Sequence, residues 1–530
     1  MIGESGEDSA PQASGRPCPR GRAYDVVRCS PAFVVLAVAI ASASNYADPD
    51  LWIHVLAGQR IIDTGRVLTR DLYSYAAPAL PWYNHEWLAE VVLGASYRWL
   101  GVLGLKLLKL TCAAVVMIAL ARALSRTAAA PRIQRIVLLA TATGLISQMQ
   151  FRPTMFTLAM LSIVVAKLAA ESYTGPVTLW TLIPLFALWA NLHAGCFAGL
   201  GSMAIFAAAV GIQEAIDKHT IGRAARIAAV TLGCALATLV NPLGIGLWTT
   251  FIRSASDPLM RPIISDWAPL IKFLTYIAQR SASEPLAYAV PLLLFAALPA
   301  ALLEAPVFDD AALVAVALVF TAGAFYSNRN VGLAVISVSI PVAHHLGVAA
   351  KRSLSVAGGR GIDHREPRGA TVIAAAVLII VIGGEFSGHR LKTWDAVPSG
   401  AVSFMKSHGL RGNILNDFDW GGYLIWHLSP NSKVFIDSRY QLVYPPNLRR
   451  QYLAFLYGWQ GGERLLGAYP HDFVLVKPGT GAERFVGSDR GWRLIYRDPM
   501  SSLYARNPTP ASKSPDNVPT DETGAGFFFP

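Results

Sequence analysis

The chain has 530 residues, 53% of them hydrophobic and only 15% charged, with a formal net charge of +11. A soluble domain carries about a quarter charged residues, so the composition excludes an ordinary soluble protein. It describes a polytopic membrane protein, whose positive balance reports topology and not nucleic-acid binding.

The N-terminal tail, 1–30, carries Arg16, Arg20, Arg22 and Arg28, and most of it reads as disordered. At Pro31 the apolar run "PAFVVLAVAIA" begins. It lacks a small-x-small cleavage site followed by a mature domain, and further spans follow, so it reads as a membrane span and not a signal peptide. Candidate spans fall at roughly 31–47, 101–121, 133–150, 154–171, 177–192, 195–214, 224–241, 286–303, 310–327, 331–348 and 370–386. That makes about eleven runs near the ~20 residues a bilayer requires. Basic residues collect in alternate loops: Arg122, Arg126, Arg132 and Arg135; then Lys218, Arg223 and Arg226; then Lys351, Arg352, Arg360, Arg365 and Arg368. Those loops and the N-terminus are therefore expected inside, and everything after about residue 387 outside.

The first outer loop, 48–100, is long. "PDLWIHVLAGQRIIDTG" predicts an amphipathic helix stopped by Gly65, too polar to span. "HEWLAEVVLGASYRWLG" predicts a second, starting near Asn84 and rich in aromatic residues. Helices of this kind lie at the membrane surface. Asp50 and His54 stand four apart and share a helix face.

Unusual polar residues gather at outer span ends: Asp48, Asp50 and His54; Asn84, His85, Glu86 and Glu90; Arg152; Asn191 and His193; Asn241; and Asn328, Arg329 and Asn330. Each has a plain structural reading. Asp48 before Pro49 fits a helix N-cap with proline at the first helical position. Arg152-Pro153 and Asn241-Pro242 fit span ends. His193 fits an imidazole satisfied by backbone, and Arg329 an interfacial arginine. His344-His345, near an inner end, reads as structural. The joint distribution resists these readings, because ionisable groups near membrane depth are expensive and usually face a cavity.

From Pro398 the composition changes. "GNILND", "KVFIDSR", "DFVLVKP", "WRLIYRD" and "SLYAR" predict short strands, with a helix at "PPNLRRQYLAFLYG". This makes a small extracytoplasmic α/β domain over 398–506, followed by a disordered tail, 507–530. Asp417, Asp419, Asp437 and Arg439 read either as turn chemistry with an internal Asp–Arg pair or as a lid touching acceptor or sugar. Of the five cysteines, Cys18 and Cys29 lie in the tail and Cys112, Cys196 and Cys234 in spans, so no disulfide framework is implied outside. No CxxC, HExxH, Walker or GxGxxG pattern occurs in a suitable context.

These features resemble the GT-C glycosyltransferases, integral membrane enzymes that use lipid-phosphate-linked sugars. The shared plan is a first span ending at acids, an outer loop with two interfacial helices, many further spans and an outer C-terminal domain. The strings "DPDLWIHVLAGQRIIDTG", "NHEWLAE", "FRPTMFT", "WANLHAG", "NPLG", "NDFDWGGYLIWHLSP" and "VFIDSRY" are similar to those of an uncharacterised bacterial group within or near that superfamily. The resemblance implies a transmembrane domain of GT-C type over 31–386. It implies a polyprenyl-phosphate-linked donor, a lipid, glycan or protein acceptor, and an inner-membrane location. Its general base is an acid just after the first span, a place that both Asp48 and Asp50 fit. Arg152 and Arg329 would meet the donor phosphate, and Asn84, Asn191, Asn328 and His193 sugar hydroxyls, with His54, His85 and Glu86 also in the substrate site. Some members use a divalent metal, and Asp48, Asp50, His85 and Glu86 offer ligands without a diagnostic spacing. The competing expectations are a lipid or glycan transporter, and a non-catalytic protein that binds a lipid-linked glycan. A transporter predicts mid-membrane polar residues and internal repeats, and no convincing repeat is present.

Overall fold

The computed structural model describes residues 30–76, 80–217, 220–259, 264–280, 288–304, 310–356, 391–393 and 397–507. The predicted eleventh span, 370–386, and the two predicted tails, save Ser30 and Asn507, lie outside the described residues.

The apolar run at Pro31 forms α1 (Pro31–Ser42), with proline in its first turn. The two residues of β1 (Tyr46–Ala47) then pair in parallel with β2 (Lys392–Thr393). The exit of the first helix is thereby tied to the chain that enters the C-terminal domain. The predicted interfacial helix is α2 (Leu51–Thr64), closed by Gly65 in the left-handed conformation at φ 63°. It begins two residues later than expected. Asp50, not Asp48, stands at the N-cap, and the Asp48 carboxylate instead accepts from the Asp50 N–H at 2.9 Å.

The second predicted helix and the second span are one element, α3 (Trp87–Leu124), broken at Gly101 with φ 59° and ψ −144°. Only glycine takes that conformation without strain. The break turns the chain from a surface helix into a crossing one, and Trp99 and Leu100, just before it, stay exposed. The predicted spans from 133–150 to 331–348 each carry a helix. These are α4 (Pro131–Gly144), α5 (Thr154–Tyr173), α6 (Leu182–Leu192), α7 (Cys196–Asp217), α8 (Gly222–Ala237), α11 (Ala289–Glu304), α12 (Ala311–Tyr326) and α13 (Val331–Val356). Among the described residues, four helices are long and apolar enough to cross a membrane: α3, α5, α7 and the one spanning Asn328–Ser353. Helices α1, α6, α11 and α12 are shorter and apolar. Two amphipathic helices were not expected, α9 (Gly246–Ala255) and α10 (Leu270–Arg280). They fill the interval between the seventh and eighth predicted spans.

Several buried ionisable groups of the bundle are paired. At the predicted inner ends, fully buried Glu171 accepts from Arg223 at 2.9 Å and Arg226 at 2.5 Å. His345 Nε2 lies 3.0 Å from Asp310, which also accepts from the Tyr173 hydroxyl at 2.7 Å.

The C-terminal sheet contains β3 (Asn413–Asn416), β4 (Lys433–Val434), β5 (Phe473–Val476), β6 (Trp492–Arg497) and β7 (Ser502–Arg506), in the order β4-β3-β5-β7-β6. The pairs β3/β4 and β3/β5 are parallel, and β5/β7 and β6/β7 antiparallel. The first outer loop docks on the β4 edge: Tyr75 N donates to Val434 O at 3.1 Å, and Val434 N to Tyr73 O at 3.2 Å. Trp52 of α2 meets Tyr423 edge-on, with ring centroids 5.2 Å apart.

Candidate functional site

Helix α2 crosses the start of α3 at two glycines. A Cβ on Gly58 would run into the carbonyl of Glu90, and one on Gly94 into the backbone at Gly58 and Gln59. The close approach sets His54, one turn before Gly58, against the acids of α3. Its Nδ1 lies 3.5 Å from Glu90 Oε1, and its Nε2 4.0 Å from Glu86 Oε2. Burial works against a charged imidazole here, but Glu90 and Glu86 outweigh it and hold His54 up at about 9.

These residues line a cavity of ≈ 870 Å³ that also takes in the ends of other helices and a turn of the C-terminal domain. Asp50, His54, Asn84, His85, Glu86, Arg152, His193 and Arg329 all line it, as the shared rim suggested. Glu86 is ringed by imidazoles: His193 Nε2 at 3.4 Å, His85 Nε2 at 3.7 Å and His54. Burial would raise its carboxyl, but His85 foremost, then His54, and Arg329 hold it below its ordinary value. Burial pushes His193 down to about 3, so it is neutral. Its Nδ1 accepts from Gly195 N at 2.9 Å, which leaves the proton on Nε2, facing Glu86. Asn84 donates to Glu90 at 2.7 Å and fixes that carboxylate.

The two acids after the first helix separate in role. Asp48 is ion-paired with Arg152 at 2.9 Å and is not among the cavity residues, whereas Asp50 is. Burial above all, and then the Asp48 charge, push Asp50 up to about 7. His54, Ser438 and Arg152 act the other way and limit that rise, and Ser438 lines the same cavity.

The two arginines also separate. Arg152 is bracketed by Asp48 and by Asp266, the latter at 2.7 Å. Arg329 lies over the Trp267 ring at 4.7 Å, and among the described residues no carboxylate is paired with it. Asn191 and Asn328 are not among the cavity residues. Asn191 accepts from Trp87 Nε1 at 2.9 Å and donates to Val240 O at 2.7 Å, which ties α6 to α3 and to the turn after α8. Asn328 is buried, and its backbone N–H donates to Ala268 O at 3.0 Å.

Glu90, Asp266, Trp267 and Ser438 also line the cavity and carry no site role in the sequence-based expectation, and Arg439, read there as an internal ion pair or a lid residue, lines it too. Glu90 was visible at the outer rim. Asp266 and Trp267 lie in the interval that showed no span, where nothing marks an "SDW" turn as inward-facing. The internal Asp–Arg pair is present, with Arg439 Nη2 2.6 Å from Asp437 Oδ2 and 2.7 Å from Asp71 Oδ1.

The donor set offered for a divalent metal does not converge. Asp48 is committed to Arg152, and among the described residues no group of three or more His, Cys, Asp or Glu side chains has metal-holding geometry.

No family model and no curated protein sequence matches the chain. Among solved structures, the Archaeoglobus fulgidus oligosaccharyltransferase in complex with zinc and sulfate matches over 90% of this chain and 73% of its own, at 10% identity and a TM-score of 0.52. Its apo form gives 0.51. The chain shares the fold of that oligosaccharyltransferase. Two further enzymes align over most of this chain. ArnT from Cupriavidus metallidurans bound to undecaprenyl phosphate has a TM-score of 0.45 at 13% identity, over 89% of this chain and 96% of its own. The mycobacterial arabinofuranosyltransferase AftD has 0.49 at 15%, over 90% of this chain; the chain spans only 39% of AftD. With this fold and its apolar helices, the chain is a multi-pass membrane protein.

Proposed function

We propose that the protein transfers a sugar from a polyprenyl-phosphate-linked donor to an acceptor hydroxyl on the outer face of the cytoplasmic membrane. One observation carries this reading. A single cavity holds a carboxyl poised near neutrality, Asp50, and a guanidinium, Arg329, with no carboxylate partner among the described residues.

In this reading the acceptor O–H gives its proton to Asp50 while its oxygen forms a bond to the anomeric carbon. The bond from that carbon to the phosphate oxygen breaks, and polyprenyl phosphate leaves with the electron pair. A single displacement inverts the anomeric centre. A general base works best with a pKa near the operating pH, which the half-buried Asp50 supplies. The growing phosphate charge needs a fixed cation with donors to spare, and Arg329 has them. Arg152 has fewer, so its part is to hold Asp48 and Asp266 around the site. His54, charged at neutral pH, keeps Asp50 from rising further. Leu158, Leu200, Leu247, Phe251, Val319 and Phe320 form an apolar wall for the isoprenoid chain.

The inside N-terminus, the eleven crossings, the transmembrane domain over 31–386 and the outer domain over 398–506 belong to the same reading. It is tested by mass spectrometry of membrane lipids and surface glycans with and without the protein. A sugar that disappears from one glycan or lipid, with its polyprenyl-phosphate donor accumulating, supports transfer. Unchanged profiles contradict it.

A further inference from the structure

Arg439 stands on the turn after β4, in "FIDSRY", and is 5% exposed. Its Nε and Nη2 donate to the two oxygens of Asp437 at 2.8 and 2.6 Å, and Nη2 also meets Asp71 at 2.7 Å. Its plane lies over Trp82 at 4.7 Å. One nitrogen is left over. Nη1 is buried without a hydrogen-bond partner among the described residues, although both Arg439 and Trp82 line the cavity. A buried charged donor without an acceptor carries a desolvation cost that a ligand oxygen would remove.

Charge decides which oxygen fits. One guanidinium faces two carboxylates, Asp437 and Asp71, so the cluster is net negative. A phosphate or carboxylate brought to Nη1 would meet both acids at close range. Arg329, with no carboxylate partner among the described residues, is the place for an anion. A carbonyl could accept from Nη1 but has no proton for the lone pairs nearby. A hydroxyl accepts from the guanidinium and donates to a carboxylate.

We propose that the Ser438–Arg439 turn is the acceptor subsite and takes a neutral, polyhydroxylated sugar, one hydroxyl oxygen accepting from Arg439 Nη1. This rests on the transferase reading of the cavity. The same turn carries Ser438, and Ser438, Arg439 and Asp50 line one cavity. A sugar held at Arg439 by one hydroxyl therefore presents another to the base. No bond forms or breaks at Arg439. It selects and positions, and the C-terminal domain thereby chooses the acceptor while the membrane domain grips the donor phosphate.

The test uses the full-length protein in lipid nanodiscs with two kinds of probe. Binding of undecaprenyl phosphate is measured by thermal shift. Binding of a panel of methyl glycosides and their uronic-acid counterparts is measured by saturation-transfer NMR. In the wild type, at least one neutral glycoside should bind, and better than its uronate. Arg439→Lys keeps the charge but loses Nη1, and should weaken that glycoside roughly three- to tenfold, the effect of one hydrogen bond. Its affinity for undecaprenyl phosphate should stay at the wild-type level, and Arg329→Lys should show the reverse pattern. Uronates binding as well as neutral sugars, no glycoside binding to a protein that does bind undecaprenyl phosphate, or loss of the lipid in Arg439→Lys would each overturn the proposal. The neutral-versus-uronate comparison needs only wild-type protein, so it decides even where the variant does not fold. A wild type that binds no undecaprenyl phosphate instead sinks the transferase reading itself.

Discussion

Arg152 Nη1 lies 2.9 Å from Asp48 Oδ2, and that contact separates the two acids of "ADPDLW". Asp48 is a structural partner that holds the start of α2 against the loop before α5, while Asp50 faces the cavity. Asp48→Asn leaves Arg152 with Asp266 as its one carboxylate. It should lower unfolding stability by about 1–3 kcal/mol, as expected for a hydrogen bond to a charged group, read as a shift in denaturant midpoint. Unchanged stability would show that the bridge contributes nothing.

The pH dependence follows from two opposed groups. Burial, then Asp48, raises Asp50 to about 7, so its basic form is lost as pH falls through 7. The acid limb of kcat/KM should have its midpoint near pH 7. The His54 cation lowers that value, so His54→Gln should move the midpoint upward. A wild-type limb near pH 4, or no movement in the variant, would contradict the assignment. His54 itself is held at about 9 against an ordinary 6.5, chiefly by Glu90 and Glu86 acting against burial. Its contribution to stability is therefore complete below pH 6.5 and lost as pH rises through 9. Unfolding midpoints of wild type and His54→Gln should differ at pH 6 and converge above 9.

Much of this site was legible because its residues break local rules. Acids, imidazoles and arginines at outer span ends have no business near lipid unless a cavity takes them, and the structure gathers most of them around one. The i,i+4 pair of Asp50 and His54 was readable as a helix face. Which acid is spoken for was not readable, because that depends on Arg152, 104 residues away in sequence. Asn191 looked like a sugar ligand on type and place alone, yet a distant Trp87 and the Val240 carbonyl occupy it. Helices α9 and α10 escaped notice since both are amphipathic and too short to register as spans. The C-terminal strands were plain from their β-branched runs, but their docking on the Tyr73–Tyr75 segment is a long-range pairing that no local pattern encodes.

The crossing of α2 and α3 depends on Gly58. A side chain there meets the Glu90 carbonyl, so the helices must separate and carry His54 away from its acids. Gly58→Leu should cost about 1–3 kcal/mol of stability through overpacking and should move the acid limb in the same direction as His54→Gln. A variant with wild-type stability and pH profile would show that the contact yields without effect.

Topology gives an independent check. A reporter fused after Arg506 should read extracytoplasmic, and one fused within 351–368 cytoplasmic, as the alternating arginine-rich loops require. Both on one side would mean that the crossing between them is absent.

The central claim is that Asp50 is the base of a sugar transfer. The most direct measurement compares wild type and Asp50→Asn for loss of polyprenyl-phosphate-linked sugar and gain of glycosylated product in the same membranes. The amide keeps shape and hydrogen-bonding reach but accepts no proton, so turnover should fall ~10²–10⁴-fold, with expression and thermal stability near wild type. Asp50→Asn transferring sugar at the wild-type rate would contradict the account.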